Sequence, residues 1–363
     1  MMKTDTAHHR QGRSPLAGEK VSVVEEVFAE VRSLVRRHAA DEGQRHLLET
    51  ALMGLEPHAC RSEPVFFVEL PLLVYGAIRG DARPAVPLAA AATLLFLGAD
   101  IFDDLADGDR PVHWDGRSHA EITLAAANVL CALTPLALDA LPAPPERKVA
   151  MQATLATGLL RMSAGQHSDV TVRQRNQTSA ADIEAAVAGK SGEELAIFAA
   201  LAAQFAAASG EQVEHYAAMG RALGTGAQLA SDCYELFTDP ESRDLVHGTP
   251  TLPIALHRER LGGAEREAFE ALLVRARTDE AARGEIRRQL IAGGGLRMCA
   301  FIVETCRQGA LRSLAFANPR EPGAGALREL IGSISFFPLN LPSADPVSGA
   351  WHKPQTQEEQ IIR

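Results

Sequence analysis

Apolar and charged residues alternate at three- and four-residue spacing over residues 21–38, which predicts a surface helix with one buried stripe. Over residues 64–77 and 87–104 the apolar content is nearly continuous, as expected of helices buried on most sides. Residues 122–141, 148–164, 183–208 and 214–237 continue the series. Shorter covering helices are expected over 264–276, 279–291, 296–315 and 325–333. Glycine and proline punctuate the pattern at Gly80-Asp81, Gly108 to Pro111, Pro142 to Pro145, Gly189, Gly210 and Pro240. Residues 1–18 are polar and aperiodic and residues 337–363 are rich in Pro and Ser, so both read as flexible ends. Between them, residues 19–336 read as one all-α domain of about 10–13 helices, with Ala-rich central members that allow close approach.

Composition narrows this picture. Of the 363 residues, 46% are hydrophobic and only 5% aromatic, and the abundance of Ala, Leu, Glu and Arg excludes an all-β fold. With 36 basic residues against 46 acidic ones the net charge is -10, which argues against broad binding to nucleic acid or anionic lipid. The five cysteines, Cys60, Cys131, Cys233, Cys299 and Cys306, have unrelated spacings and are expected to be reduced, buried thiols. The N-terminus lacks the apolar core of a signal peptide, and no run of roughly 18 apolar residues escapes a charge, so no transmembrane segment and a cytoplasmic location are expected.

The chemistry concentrates in two acidic segments. On a helix, Asp100, Asp103, Asp104 and Asp107 fall at i, i+3, i+4 and i+7, placing four carboxylates on one face at the C-terminal end of an apolar helix. Like charges repel there, and the helix macrodipole adds to the cost. A hard cation such as Mg²⁺, shared with phosphate oxygens, would compensate; a solvated acidic helix end is the alternative. Asp232, Glu235 and Asp239 repeat the arrangement at i, i+3 and i+7 on a second long helix. A diphosphate held between two such faces would be bridged by several Mg²⁺ ions that neutralise it as a leaving group.

In order, these signals resemble those of the trans-polyprenyl diphosphate synthases, class I isoprenoid enzymes, over roughly residues 64–311. Asp103, Asp104 and Asp107 match the first aspartate-rich motif, DDxxD. Gln166 and Asp169 match GQxxD, Lys190-Ser191 stands at Lys-Thr, and Gln228 to Glu235 resembles QxxDDxxD with Ser231 for its first Asp. Asp244 to Pro253 resembles DLxxGKxTLP with Thr249 in place of Lys. The resemblance implies a helical bundle round a central apolar cavity and a homodimer. It also implies two or three Mg²⁺ ions on Asp103, Asp104, Asp107, Asp232, Glu235 and Asp239, and an allylic prenyl diphosphate as substrate. By the same resemblance Asp103, Asp104, Asp107, Lys190 and Asp232 are catalytic, while Asp100, Gln166, Lys190 and Gln228 bind substrate, joined by Arg110 and Phe102 at the mouth. His113, His119 and His167 lack metal-ligand spacing.

The chain departs from that pattern in one respect that bears on function. Where such enzymes carry the basic segment that binds isopentenyl diphosphate, this sequence has Phe66-Phe67-Val68-Glu69-Leu70. Arg61 and Arg110 are two separated arginines and do not make a basic pocket. Three readings follow: prenyl transfer to an unknown, specialised acceptor; cyclisation of a C15 or C20 prenyl diphosphate by a terpene synthase; or a non-catalytic partner subunit. The low aromatic content favours transfer, since cyclases steer cations with aromatic walls, although Phe66, Phe67, Phe96, Phe102, Tyr234 and Phe237 are expected near the cavity. Gly98 and Ala99 stand where bulky residues shorten the pocket in related synthases, so they read either as room for a longer chain or as tight helix packing.

Overall fold

Ser118, Ser179 and Ser209 each open a helix by accepting the backbone N–H three residues on, while Glu121, Asp182 and Gln212 reach back to the serine N–H. These reciprocal bonds satisfy donors that a helix start leaves orphaned. At the other end, Gly80 and Gly108 terminate helices with φ of 89° and 73°, a left-handed conformation open to glycine at no steric cost.

The computed structural model describes residues 20–59, 64–173 and 178–334; the predicted flexible ends lie outside them. The described residues form fourteen continuous helices and no strand. They are α1 (Lys20–His38), α2 (Glu42–Ala59), α3 (Phe66–Arg79), α4 (Val86–Asp107), α5 (His119–Asp139), α6 (Pro145–Arg173) and α7 (residues 180–205). Then come α8 (Gly210–Thr238), α9 (Arg243–His247), α10 (Leu252–Arg260), α11 (Gly263–Ala276), α12 (Glu280–Ala292), α13 (Gly295–Phe316) and α14 (Gly323–Gly332). The all-α expectation holds. Three of these helices are absent from the hydrophobic pattern, namely α2, α9 and α10, and they bring the total just above the expected range. Gly189 does not end a helix: it lies in a π turn, Ala188–Gly192, that carries α7 through without a break. A second π turn, Val129–Leu133, lies inside α5.

The main core gathers α1 to α8 with α13 and α14, and α7 runs through its middle against α3, α6 and α8. A smaller cluster of Leu236, Phe269, Ile286 and Leu290 closes α9, α11 and α12 over the end of α8. Phe237, expected near the cavity, packs in this cluster. Cys233 and Cys299 are buried as expected, side by side between α8 and α13, but Cys131 is exposed on α5. By length and composition, Arg83–Asp107 and His119–Asp139 could each cross a membrane; 67% of the first segment's apolar window is buried within the protein, where core packing accounts for it.

Glycine sets how closely the central helices approach. A Cβ on Gly224 of α8 would stand 2.2 Å from the Ser191 carbonyl oxygen of α7, and one on Gly165 of α6 would stand 2.3 Å from the Gly189 carbonyl carbon. Backbone cannot yield as a flexible side chain can. Gly224→Ala is therefore expected to lower stability by about 1–3 kcal/mol, read as a reduced urea midpoint. Gly210→Ala, where a Cβ meets nothing within 4 Å, serves as the control and should shift it by no more than about 0.5 kcal/mol.

Candidate active site

The C-terminal turns of α4, the upper part of α6, the π turn of α7 and the C-terminal half of α8 converge at one mouth. Close contact of Gly165 with Gly189 brings α6 against α7 and lets both reach α4. The Lys190 Nζ lies 2.5 Å from Asp103 Oδ1, and the Gln166 amide donates to the same oxygen at 2.8 Å. Both partners of the ion pair are about 30% exposed: Lys190 28%, Asp103 31%. Across the mouth the Gln228 amide donates to Asp232 at 2.8 Å, and the Ser191 hydroxyl donates to Gln228 Oε1 at 3.2 Å, tying α7 to α8. A π turn widens the helix locally and is a recurrent device for re-aiming functional side chains. Here it carries Lys190.

Acid greatly outweighs base at this mouth. Asp100 opens onto the cleft yet is recessed among protein atoms; that desolvation, with Asp104 and Asp103 beside it, pushes its carboxyl up to about 7 against the pull of Lys190. Desolvation raises Asp232 to about 6, helped by Glu235 and Asp169 and opposed by the Gln228 hydrogen bond and Lys190. Glu194, one turn past Lys190 on α7, is pushed up to about 8, first by desolvation and then by Asp100. Sequence reasoning missed Glu194, although Glu193-Glu194 is the one acidic pair leading into an otherwise apolar run.

The donor set fits a hard divalent cation. Lys190 is the cation near both Asp103 and Asp100 of α4 and Asp232 of α8, with Asp104 beside Asp100 and Glu235 beside Asp232, and carboxylate oxygens are the ligands Mg²⁺ prefers. Among the described residues no three His, Cys, Asp or Glu side chains are already placed to hold an ion alone, so phosphate oxygens would have to complete its coordination.

Other expected site residues lie elsewhere or are otherwise engaged. Glu235 Oε1 accepts the Asp244 N–H at 3.3 Å. Helix α8 ends at Thr238, and Asp239 turns away with φ −87° and ψ 114°, its carboxylate accepting the Glu241 N–H at 2.9 Å. Arg110 clasps the carbonyls of Trp114 and Arg117 within its own loop and is not brought to the carboxylates. Phe102 stands at the mouth, 37% exposed. A Cβ on Gly98 would meet Leu130 Cβ at 2.8 Å, so its smallness serves the packing of α4 on α5. Where a basic segment would stand, Phe67 stacks on Phe96 with ring centroids 4.4 Å apart, and the buried Glu69 accepts the Val65 N–H at 2.9 Å. Arg61 lies outside the described residues.

These carboxyls keep their protons to higher pH in the folded chain than in the unfolded one. Between their ordinary values, 3.8 for Asp and 4.5 for Glu, and about 8 the folded state binds more protons, so stability should fall as pH rises through that window. Without divalent cations, the urea midpoint is expected to drop from pH 5 to pH 8, and Glu194→Gln should flatten the upper part of that slope. A midpoint that rises over the same range would contradict the crowding described here.

A model of the polyprenyl synthetase family matches residues 72–290. Among solved structures, the chain resembles a polyprenyl synthetase from Streptomyces coelicolor A3(2), at 18% identity and a TM-score of 0.75 over 88% of this chain and 99% of that one. It also resembles a geranylgeranyl pyrophosphate synthetase from Pyrococcus horikoshii Ot3, at 18% identity and a TM-score of 0.76 over 88% and 97%. A third likeness is to a decaprenyl diphosphate synthase from Rhodobacter capsulatus, at 16% identity and a TM-score of 0.73 over 88% and 98%. No curated protein matches the chain.

Proposed function

The chain belongs to the polyprenyl synthetase family and is a prenyltransferase, and from that premise we propose that it ionises an allylic prenyl diphosphate with Mg²⁺ and passes the prenyl group to an acceptor other than isopentenyl diphosphate. The arrangement of Lys190 and Gln166 on Asp103, opposite Gln228 on Asp232, carries the first half of this reading. Lys190 pairs with a diphosphate oxygen, Gln166 and Gln228 orient the phosphates, and Asp103, Asp104, Asp107, Asp232 and Glu235 hold the metal. Bound Mg²⁺ supplies positive charge to the departing diphosphate. The apolar walls of α3, α4, α7 and α8 exclude water from the allylic cation that remains. The second half rests on the first turn of α3, where aromatic and acidic side chains stand in place of cations.

The test is incubation of the purified protein with Mg²⁺ and geranyl, farnesyl or geranylgeranyl diphosphate, followed by product analysis. Diphosphate release that rises when an acceptor is supplied supports transfer. A cyclic hydrocarbon or alcohol from one substrate alone would mark a terpene synthase. No release from any of the three would leave the partner-subunit reading.

A homodimer in the cytoplasm completes the proposal. Exposed Leu124 and Leu136 on α5 and Val149 and Leu160 on α6 supply apolar surface for pairing. Light scattering should give twice the chain mass of 38.8 kDa.

A further inference from the structure

Two loops meet at the rim of the acidic mouth. Asp109 follows the glycine that ends α4, and its N–H donates to the Asp104 carbonyl at 2.8 Å, which fixes it beside the first acidic segment. Arg243 opens α9, and the next residue, Asp244, donates its N–H to Glu235 Oε1 at 3.3 Å, which fixes that turn beside the second. Between the loops, Arg243 Nη1 donates to Asp109 Oδ2 at 3.1 Å. One ion pair thus straps the end of α4 to the segment that follows α8.

As a brace this strap is weak. Arg243 is 54% exposed and Asp109 30%, and a solvated ion pair held by a single contact adds little to stability. As a ligand the same guanidinium is well supplied, for it has five N–H donors in a planar fork and Asp109 engages one of them. Other cations near the mouth are committed. Lys190 already sits on Asp103, and Arg110 gives donors to the carbonyls of its own loop. A diphosphate that enters among the carboxylates of α4 and α8 brings several more negative charges, and its oxygens match a guanidinium two at a time. Asp109 offers Arg243 only one.

We propose that Arg243 is a substrate ligand held in reserve: it pairs with Asp109 before substrate arrives and passes to the diphosphate once an allylic substrate and Mg²⁺ enter. The inference rests on the reading of the mouth as a prenyl diphosphate site. No covalent bond changes in the exchange. Asp109 is released to water, and Arg243 becomes a second cation on the phosphate oxygens, reaching them from α9 as Lys190 does from α7. Every substrate must then compete with Asp109 for the arginine, so this carboxylate sets how tightly the diphosphate is held.

The test is calorimetric titration of the full-length protein, in Mg²⁺, with farnesyl S-thiolodiphosphate, an analogue that ionises too slowly to be consumed. Arg243→Gln should bind it about tenfold or more weakly, and Arg243→Lys should recover part of that loss. Asp109→Asn, which breaks the pair and keeps the arginine, should bind the analogue as tightly as the parent or up to about fivefold more tightly, because nothing has to be displaced. Urea midpoints of all three variants should match the parent. These opposite signs separate a ligand from a brace. If Arg243→Gln and Asp109→Asn weaken binding alike, if Arg243→Gln leaves it unchanged, or if Arg243→Gln unfolds, the proposal is overturned and the assignment of the mouth stands. A parent protein that binds no analogue would overturn that assignment and the proposal with it.

Discussion

Replacing Asp103 with Asn is expected to slow diphosphate release from an allylic substrate by about three orders of magnitude while leaving the fold intact. Asp103 is the hub of the mouth: its Oδ1 receives both Lys190 at 2.5 Å and Gln166 at 2.8 Å. On the proposed reading, loss of its charge removes a metal ligand and frees Lys190 from its position in one step. A single misplaced electrostatic contact in a preorganised site costs about 10²–10³ in rate, and a lost metal ligand adds to that. Stability should move by no more than about 1 kcal/mol, because the ion pair is partly solvated and Asp100 and Asp104 lose a repulsive neighbour. Single-turnover rates with geranylgeranyl diphosphate, read beside a urea titration, check both halves. A rate within tenfold of the parent would remove Asp103 from the machinery, and an unfolded variant would make its role structural.

The second large effect concerns the acceptor. Isopentenyl diphosphate offered together with an allylic diphosphate should be elongated at least about 10²-fold more slowly than the chain uses its own acceptor, or not at all. A diphosphate acceptor needs several charge-assisted hydrogen bonds, each about 1.5–3 kcal/mol, so losing two costs roughly 10²–10⁴ in affinity. Where those donors would stand, Phe67 lies on Phe96 and Glu69 caps its own helix start. Arg110, the candidate among the described residues, is occupied by carbonyls of its loop. Radiolabelled isopentenyl diphosphate appearing in a lengthened chain at ordinary rates would refute the claim, without disturbing the assignment of Asp103 and Lys190.

Much of this was legible in the sequence because helical spacing converts directly into a face. Asp103, Asp104 and Asp107 on α4, and Asp232 and Glu235 on α8, share faces for that reason. The rule fails where a helix stops. Asp239 fits i+7 on paper, but α8 ends one residue earlier and the chain leaves the helical path. It also fails across a π turn: the register change in Ala188–Gly192 decides where Lys190, Glu193 and Glu194 point, and hydrophobic periodicity does not report it. Arg110 shows the limit of proximity along the chain, since a long side chain on a loop satisfies the nearest carbonyls first. Helix α2 was missed although its signals are in the sequence: Leu48, Ala51, Leu52 and Leu55 fall at i, i+3, i+4 and i+7 and are buried, and its start is tied by Gln44 N–H on the Asp41 carboxylate and Ala40 N–H on the Gln44 side chain. Phe67 and Phe96, both expected near the cavity, stack on each other between α3 and α4, whereas Phe237 packs in a different cluster with Leu236, Phe269 and Ile286.

The two π turns carry a historical consequence. A helix accommodates one inserted amino acid by widening a single turn, so that the residues on either side keep the packing they had before. Helices α5 and α7 each contain such a turn, at Val129–Leu133 and Ala188–Gly192. Loss of one codon within either turn would restore a regular helix with both flanks in place. In α7 that change would fall on the residues that aim Lys190, making this short stretch a point where one insertion or deletion redirects chemistry and spares the scaffold.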